Sequence, residues 1–423
     1  MNRWPAHEPS RQFRQPQRLW DDATRHPPSL GCPTCLERDR CSGVHTDAGI
    51  LDCRDFCTCA DKSKCDMICR FNPGLFVARM REVGGLGFDN APRSSANGVP
   101  TLPLVVPFVD HRYGRAAILD EPVVAVSLYE LINMATGEVH VASRGELAAR
   151  FLVPEGAQVV VSGVDKDRPI ERWWELKDRR PILSALKHLG VALVTTPNYS
   201  VLTNVPRTDN LHAMKRILLA WTEMASVGVA TALHVNARTE HDYARWGALI
   251  ADRQEIEILS FEFATGCGRG ERIDWHVAQL CALADHAGRP LAIVVRGGGR
   301  KLDTLRQHFA QVTLVETDAF VRTIHRRKAY LTEAGRLKWA KCATPIGAPI
   351  DDLFAHNVSL VRSAYEMPCH AAVASRPRLR LPRRTADGDG EPVKPRFLRE
   401  LDLAGEARGN SPHPQGVVAT SKS

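Results

Sequence analysis

Between residues 102 and 317 the chain alternates short apolar, β-branched runs with longer segments whose apolar positions recur every three to four residues. The short runs lie at 102–109, 123–131, 158–164, 191–197, 230–236, 256–263, 291–297 and 312–317, and stretches such as LAIVV and VALV contain no polar break. A strand that is apolar on both faces is buried on both faces, which is the pattern of a parallel sheet covered by helices. Helical periodicity is clearest at 170–189, 211–226, 241–251, 272–287 and 301–309. Eight strands with helices between them, over roughly 220 residues, predict an α/β fold of the (β/α)8-like barrel type rather than an open doubly wound sheet.

The first units fit this repeat poorly. Only 13 residues, DHRYGRAAILDEP, separate the first two runs, too few for a comfortable helical crossover. The segment NMATGEVHV reads as a hairpin, and Ser143 with Glu146 reads as a capping box opening the next helix. The barrel is therefore either distorted at its start or regular only in its last six units.

Composition changes on either side of the repeat. Residues 1–30 are rich in Pro, Arg and Gln, and residues 374–423 in Pro, Gly, Arg and Ser; both basic ends are expected to be disordered. A cysteine-rich module occupies 31–84 and ends in a short helical pattern at Leu75, Phe76, Met80 and Val83, closed by Gly84 and Gly85. A Gly, Asn and Pro-rich link, 85–101, leads into the barrel of 100–345, and a helical extension, 346–373, follows. The opening residues MNRWPAHEPSRQF lack an apolar leader with a small-residue cleavage site, and no stretch approaches about 18 apolar residues. The expectation is a cytoplasmic protein with no membrane association; the oligomeric state is not legible.

Eight of the twelve cysteines, Cys32, Cys35, Cys41, Cys53, Cys57, Cys59, Cys65 and Cys69, fall within 38 residues. A chain of 423 residues with 44% hydrophobic content does not need disulfides to fold, and in a reducing compartment closely spaced cysteines act as thiolate ligands. Two four-thiolate sets suit two tetrahedral zinc ions; the same thiolates could hold a [4Fe-4S] cluster, or remain unliganded. CRDFCTC is one residue short of the C-x3-C-x2-C loop associated with radical S-adenosylmethionine enzymes, and it precedes the barrel instead of following its first strand.

In a barrel of this type chemistry gathers where strands end and loops begin. The carboxylates Glu262, Asp165 and Asp167 are the candidate acid/base or nucleophilic groups, with His234 and Asn236 orienting substrate and Asn198, Tyr199 and Ser200 contacting it. Glu262 stands between Phe261 and Phe263, and a carboxylate in an apolar strand is costly unless paired or working. The alternation in HVN and SFEF turns the polar residues to one face. An Asp just after a strand is equally often the next helix's N-cap, and His234 equally a satisfied interior histidine. After the seventh run, Arg296-Gly297-Gly298-Gly299-Arg300-Lys301 exposes backbone N–H groups among cations ahead of a helix, a phosphate cradle or a tight turn with solvated charges.

The net charge of +8 is modest, but Arg376, Arg378, Arg380, Arg383 and Arg384 cluster near the end. Arg322, Arg326, Arg327, Lys328, Arg336, Lys338 and Lys341 are interleaved with Tyr330 and Trp339. That pattern suits a nucleic-acid strand, with a solvated amphipathic helix as the rival reading.

The segment TTPNYSVLTNVPRTDNLHAMKRILLAWTEMASVGVATALHVNARTEHDYARW resembles an uncharacterised barrel-like family of bacteria and mobile elements, in which a strand ending in Pro-(Asp/Asn)-aromatic-Ser is followed by a helix and a second strand. The resemblance covers about residues 190–265 and implies a fold without an established activity. At the level of architecture alone the chain is similar to the guanine transglycosylases, which use barrel carboxylates and a late zinc site; here only Cys342 and Cys369 are available late in the chain, without the expected spacing. The sequence thus predicts a metal-containing barrel enzyme acting on a nucleotide, nucleic acid or phosphorylated small molecule. The alternatives are a non-catalytic nucleic-acid-binding protein with a zinc module and an iron-sulfur redox enzyme.

Overall fold

The structure is a computed structural model that describes residues 82–202, 207–268, 270, 272–345 and 347–366. The cysteine module through Cys69 and both basic ends lie outside the described residues.

Eight strands form at the eight apolar runs: β1 (Val105–Pro107), β2 (Val123–Ser127), β3 (Gln158–Ser162), β4 (Leu193–Thr195), β5 (Thr231–His234), β6 (Ile258–Glu262), β7 (Ala292–Arg296) and β8 (Gln311–Glu316). They pair in parallel in the order β2-β3-β4-β5-β6-β7-β8-β1. The two ends of that sheet meet through a parallel bridge between Phe108 and Ala125, where the Val109 N–H donates to the Ala125 carbonyl at 2.8 Å. The result is a nearly closed eight-stranded α/β barrel.

Two apolar clusters show which way each strand faces. Val106, Ala125, Val160, Leu193, Ala232, Ile258 and Val294 pack with one another inside the barrel. Their sequence neighbours, among them Val124, Val161, Val194, Leu233, Leu259 and Val295, pack outward under the helices. Burial on both sides of the sheet is what the unbroken apolar runs encode, and each buried Val, Leu or Ile among them stabilises by about 1.5–3 kcal/mol.

The covering helices are α1 (Arg144–Phe151), α2 (Asp167–Glu175), α3 (Arg180–His188), α4 (Arg207–Ser226), α5 (Glu240–Asp252), α6 (Arg272–Ala287), α7 (Leu302–Leu305) and α8 (Asp318–Ile324). Ser143 caps α1 as its sequence predicts, accepting from the Glu146 N–H at 3.2 Å. Where one helix was expected over 170–189 there are two. Pro181 lies in the first turn of α3; it lacks an N–H and its ring would strike the carbonyl four residues back, so the helix stops and restarts. Arg179 satisfies the end of α2, donating to the carbonyls of Trp173, Trp174 and Leu176 at 3.4, 3.1 and 3.1 Å.

The first unit lacks a helix, and a segment after the last barrel strand supplies one. The 108–122 connection runs without a helix from β1 to β2, and α9 (Asp351–Glu366) packs against β1 and α8. Asp351 accepts the Ala116 N–H at 2.8 Å, Arg115 lies over the Phe354 ring at 5.5 Å, and Arg362 pairs with Glu121. Between α8 and α9 the basic segment forms an antiparallel hairpin, β9 (Arg327–Leu331) and β10 (Leu337–Lys341). An amphipathic helix is therefore not what it forms. Asn357, fully buried on α9, ties three elements together: it accepts from the Ala329 N–H at 2.8 Å and donates to Thr323 Oγ1 and the Arg327 carbonyl at 2.8 and 2.9 Å.

The link ahead of the barrel is strapped to the outside of α4 and α5 by cations, Lys215 and Arg253 buried and Arg245 half-buried, that donate to its backbone carbonyls and to the Asn90 side-chain oxygen. Lys215 reaches Gly87 and Asn90, Arg245 reaches Leu86 at 2.6 Å, and Arg253 reaches Phe88, Ala91 and Pro92 at 3.3, 2.6 and 2.8 Å. No described helix is long and apolar enough to cross a membrane.

Candidate active site at the barrel mouth

Strand parity decides what lines the mouth. Ala232, Ile258 and Val294 face inward, so His234, Ser260, Glu262 and Arg296, at even spacing beyond them, also face inward. Register places Glu262 beside Arg296 and His234 beside Ser260. Glu316 shares the parity of the outward Leu314. Its carboxylate accepts the Asp318 and Ala319 N–H groups at 2.6 and 2.9 Å and caps α8, and burial pushes its pKa up to about 7.

Glu262 is 6% exposed. Its Oε1 accepts the Ala264 N–H at 2.6 Å, while Oε2 is buried without a hydrogen-bond partner. Arg296 Nε, also buried and without a hydrogen bond, stands 3.7 Å from that oxygen. Desolvation raises the Glu262 pKa to about 7, against the lowering pull of the Arg296 charge and the Ala264 N–H. Arg296 then spans the mouth: its Nη1 donates to the Val164 carbonyl beyond β3 at 2.9 Å, and its guanidinium lies 5.7 Å from the centre of the Phe108 ring.

Beside Val164, Asp165 accepts the Lys166 N–H at 2.7 Å and the Ser127 hydroxyl at 3.4 Å, and its own N–H donates to Asn198 at 3.4 Å. Asp167 is exposed and accepts from Ser200 at 2.6 Å. His234 is 1% exposed, 3.3 Å from Ser260 Oγ. Burial and the Arg238 charge hold its pKa down to about 3, so it is neutral. Asn236 is committed on both sides, donating to the Tyr199 carbonyl at 2.9 Å and accepting from Arg238 at 3.1 Å. Tyr199 is fully buried in the layer beneath the helices, its ring 4.1 Å from the Arg216 guanidinium, and so does not face the mouth.

The glycines of the 296–301 loop answer to packing. A Cβ on Gly297, at φ +76°, would lie 2.7 Å from the Ala264 nitrogen; one on Gly298, 2.7 Å from the Phe263 ring; one on Gly299, 2.4 Å from the Tyr365 ring. The helix after them, α7, has only four residues, and Lys301 pairs with Asp274. Sequence reasoning missed Arg238, which donates to Cys267 Sγ at 3.0 Å, and Arg112 with Glu130, which join Asp110 at the end of the first apolar run: Arg112 Nη2 lies 2.7 Å from the Asp110 carboxylate and 2.9 Å from that of Glu130. Spacing in the sequence gives no signal for Cys267 beside Arg238 or Glu130 beside Arg112, because those partners come from different loops, whereas Asp110 lies two residues from Arg112. Among the described residues no group of three or more His, Cys, Asp or Glu is placed to hold a metal ion.

No family model matches the chain, and no curated protein matches it. Among solved structures it is similar to a HpcH/Hpal aldolase/citrate lyase family protein from Burkholderia cenocepacia, with 14% identity and a TM-score of 0.29 over 59% of this chain and 96% of that one.

Proposed function

We propose that the protein is a barrel enzyme performing general acid–base chemistry on a small anionic substrate, with Glu262 moving the proton and Arg296 holding the anion. One observation carries this reading: a buried carboxylate oxygen and a buried guanidinium N–H face one another at 3.7 Å and neither has a hydrogen-bond partner. Buried polar groups left in that state are costly and cluster at working sites. A carboxyl that titrates at about 7 both gives and takes protons at neutral pH. Asp165, one residue beyond the carbonyl that receives Arg296, is the second acid/base group; Asp167, exposed and bonded to Ser200, is left out. His234 stays neutral and serves as a wall of the site.

A phosphate or a carboxylate satisfies Arg296 equally, and a nucleotide belongs to the first class. The test is a thermal-shift screen of phosphorylated and carboxylated metabolites on the full chain. Compounds that stabilise the wild type and not Arg296→Met are then assayed for turnover. Glu262→Gln is expected to lower kcat about 100-fold or more with little change in KM; a turned-over compound indifferent to Glu262→Gln removes the reading.

The cysteines at 32–69 support a second proposal, that they hold zinc in four-thiolate sites as a structural module ahead of the barrel.

A further inference from the structure

The β9–β10 hairpin has two unlike faces. Ala329 is buried and Trp339 half-buried on the face toward the barrel, where Ala329 is held by Asn357. The opposite face, set by the register Lys338 to Tyr330 and Ala340 to Lys328, presents Lys328, Tyr330, Lys338 and Ala340 to solvent. Tyr330 is 45% exposed, one of the few large rings left open on the described surface. Arg336 in the turn and Lys341 at the strand end are exposed as well. No acidic side chain among the described residues forms an ion pair with Lys328, Arg336, Lys338 or Lys341.

We infer that this face of the hairpin is a docking surface for a single-stranded polynucleotide, with the Tyr330 ring stacking on a base and Lys328 and Lys338 on flanking phosphates. The strand positions of this face carry charge of one sign, with Glu333 in the turn as the hairpin's single acid, and that excess selects a polyanion. The open ring selects one with planar faces to stack on. Cross-strand pairing sets Lys338 opposite Tyr330 about 5 Å away, and Lys328 lies two residues along the strand on the same face, about 7 Å away, so a ring and two cations meet one backbone together. The turn that carries Arg336 is fixed by Gly335 at φ +69° and by Thr332, whose N–H donates to the Arg336 carbonyl at 3.0 Å. This inference is independent of the chemistry at Glu262.

Fluorescence anisotropy of the full chain with labelled oligouridine and oligothymidine 20-mers tests it, the two probes separating RNA from DNA. Lys328→Glu with Lys338→Glu is expected to weaken binding at least tenfold and to lower the slope of log K against log salt by about 1.4. Tyr330→Ala is expected to weaken it about fivefold to 100-fold. All three side chains are exposed, so melting temperatures should match the wild type; Lys328→Gln with Lys338→Gln serves if charge reversal disturbs folding. Three outcomes overturn the inference: no salt-dependent binding by the wild type, affinity unchanged in the lysine variants, or polyglutamate competing as well as the oligonucleotide while Tyr330→Ala has no effect.

Discussion

Arg296 donates to the Val164 carbonyl at 2.9 Å, and because β7 and β3 stand four strands apart in an eight-stranded barrel, that single bond joins opposite sides of the mouth. The same side chain supplies the positive charge that restrains the Glu262 pKa. Replacing it by Met should let Glu262 titrate above about 7, because desolvation then acts without the opposing charge. The acidic limb of a kcat/KM profile that needs ionised Glu262 should move to higher pH, and a limb that stays put would separate Glu262 from the reaction.

Glu316 gives a stability prediction with a defined sign. Its carboxyl titrates at about 7 in the folded chain against an ordinary 4.5. The folded state therefore holds the proton more tightly, and this contribution is present in full below about pH 4.5 and lost as pH rises through about 7. It is on the order of 3 kcal/mol. Glu316→Gln should flatten the melting temperature between about pH 5 and 8 relative to wild type; an unaltered slope would contradict the burial argument.

Asn357 offers a packing prediction. Asn357→Ala leaves the Ala329 N–H and the Arg327 carbonyl to find other partners, while the Thr323 hydroxyl loses a donor but keeps its own bond to the Ala319 carbonyl, and unmet buried groups cost about 1–3 kcal/mol each. Urea unfolding should show a loss of roughly 3 kcal/mol or more, with hydrogen exchange fastest in the hairpin.

Gly297→Ala tests the approach of the β7 loop to the end of β6. The added methyl would sit 2.7 Å from the Ala264 nitrogen in a backbone at φ +76°. Destabilisation on the order of 2 kcal/mol is expected, together with a higher Glu262 pKa as the Ala264 N–H is pushed away. A neutral effect on both would show that the loop can move aside.

The zinc proposal is read by elemental analysis of the full chain. About two zinc ions per colourless chain are expected, falling when Cys32 and Cys35 are replaced by Ser. Brown protein absorbing near 400 nm, with iron and sulfide, would replace zinc by a cluster.

Much of the fold was legible because burial on both faces of a parallel strand leaves a one-dimensional trace, as in VVAVS and AIVVR. Inward Glu262 and His234 were legible for the same reason, through alternation with Phe261 and Leu233. The bridge from Arg296 to Val164 was not, since nothing local to either residue records a partner more than a hundred positions away. Tyr199 shows the converse error: a strand-end position predicts the mouth, yet the Arg216 guanidinium draws its ring beneath α4. The triple glycine was visible, but its contacts with Phe263, Ala264 and Tyr365 come from two distant segments.

The helix that α9 lends to the first strand has a consequence for biosynthesis. β1 is made early, yet its neighbour β8 and its cover α9 are among the last described elements to be made. The first strand must therefore wait, one edge unpaired, for more than two hundred residues to leave the ribosome, a period in which an open apolar edge invites wrong partners. A nascent chain halted before Asp351 should engage holding chaperones more than one released after Glu366.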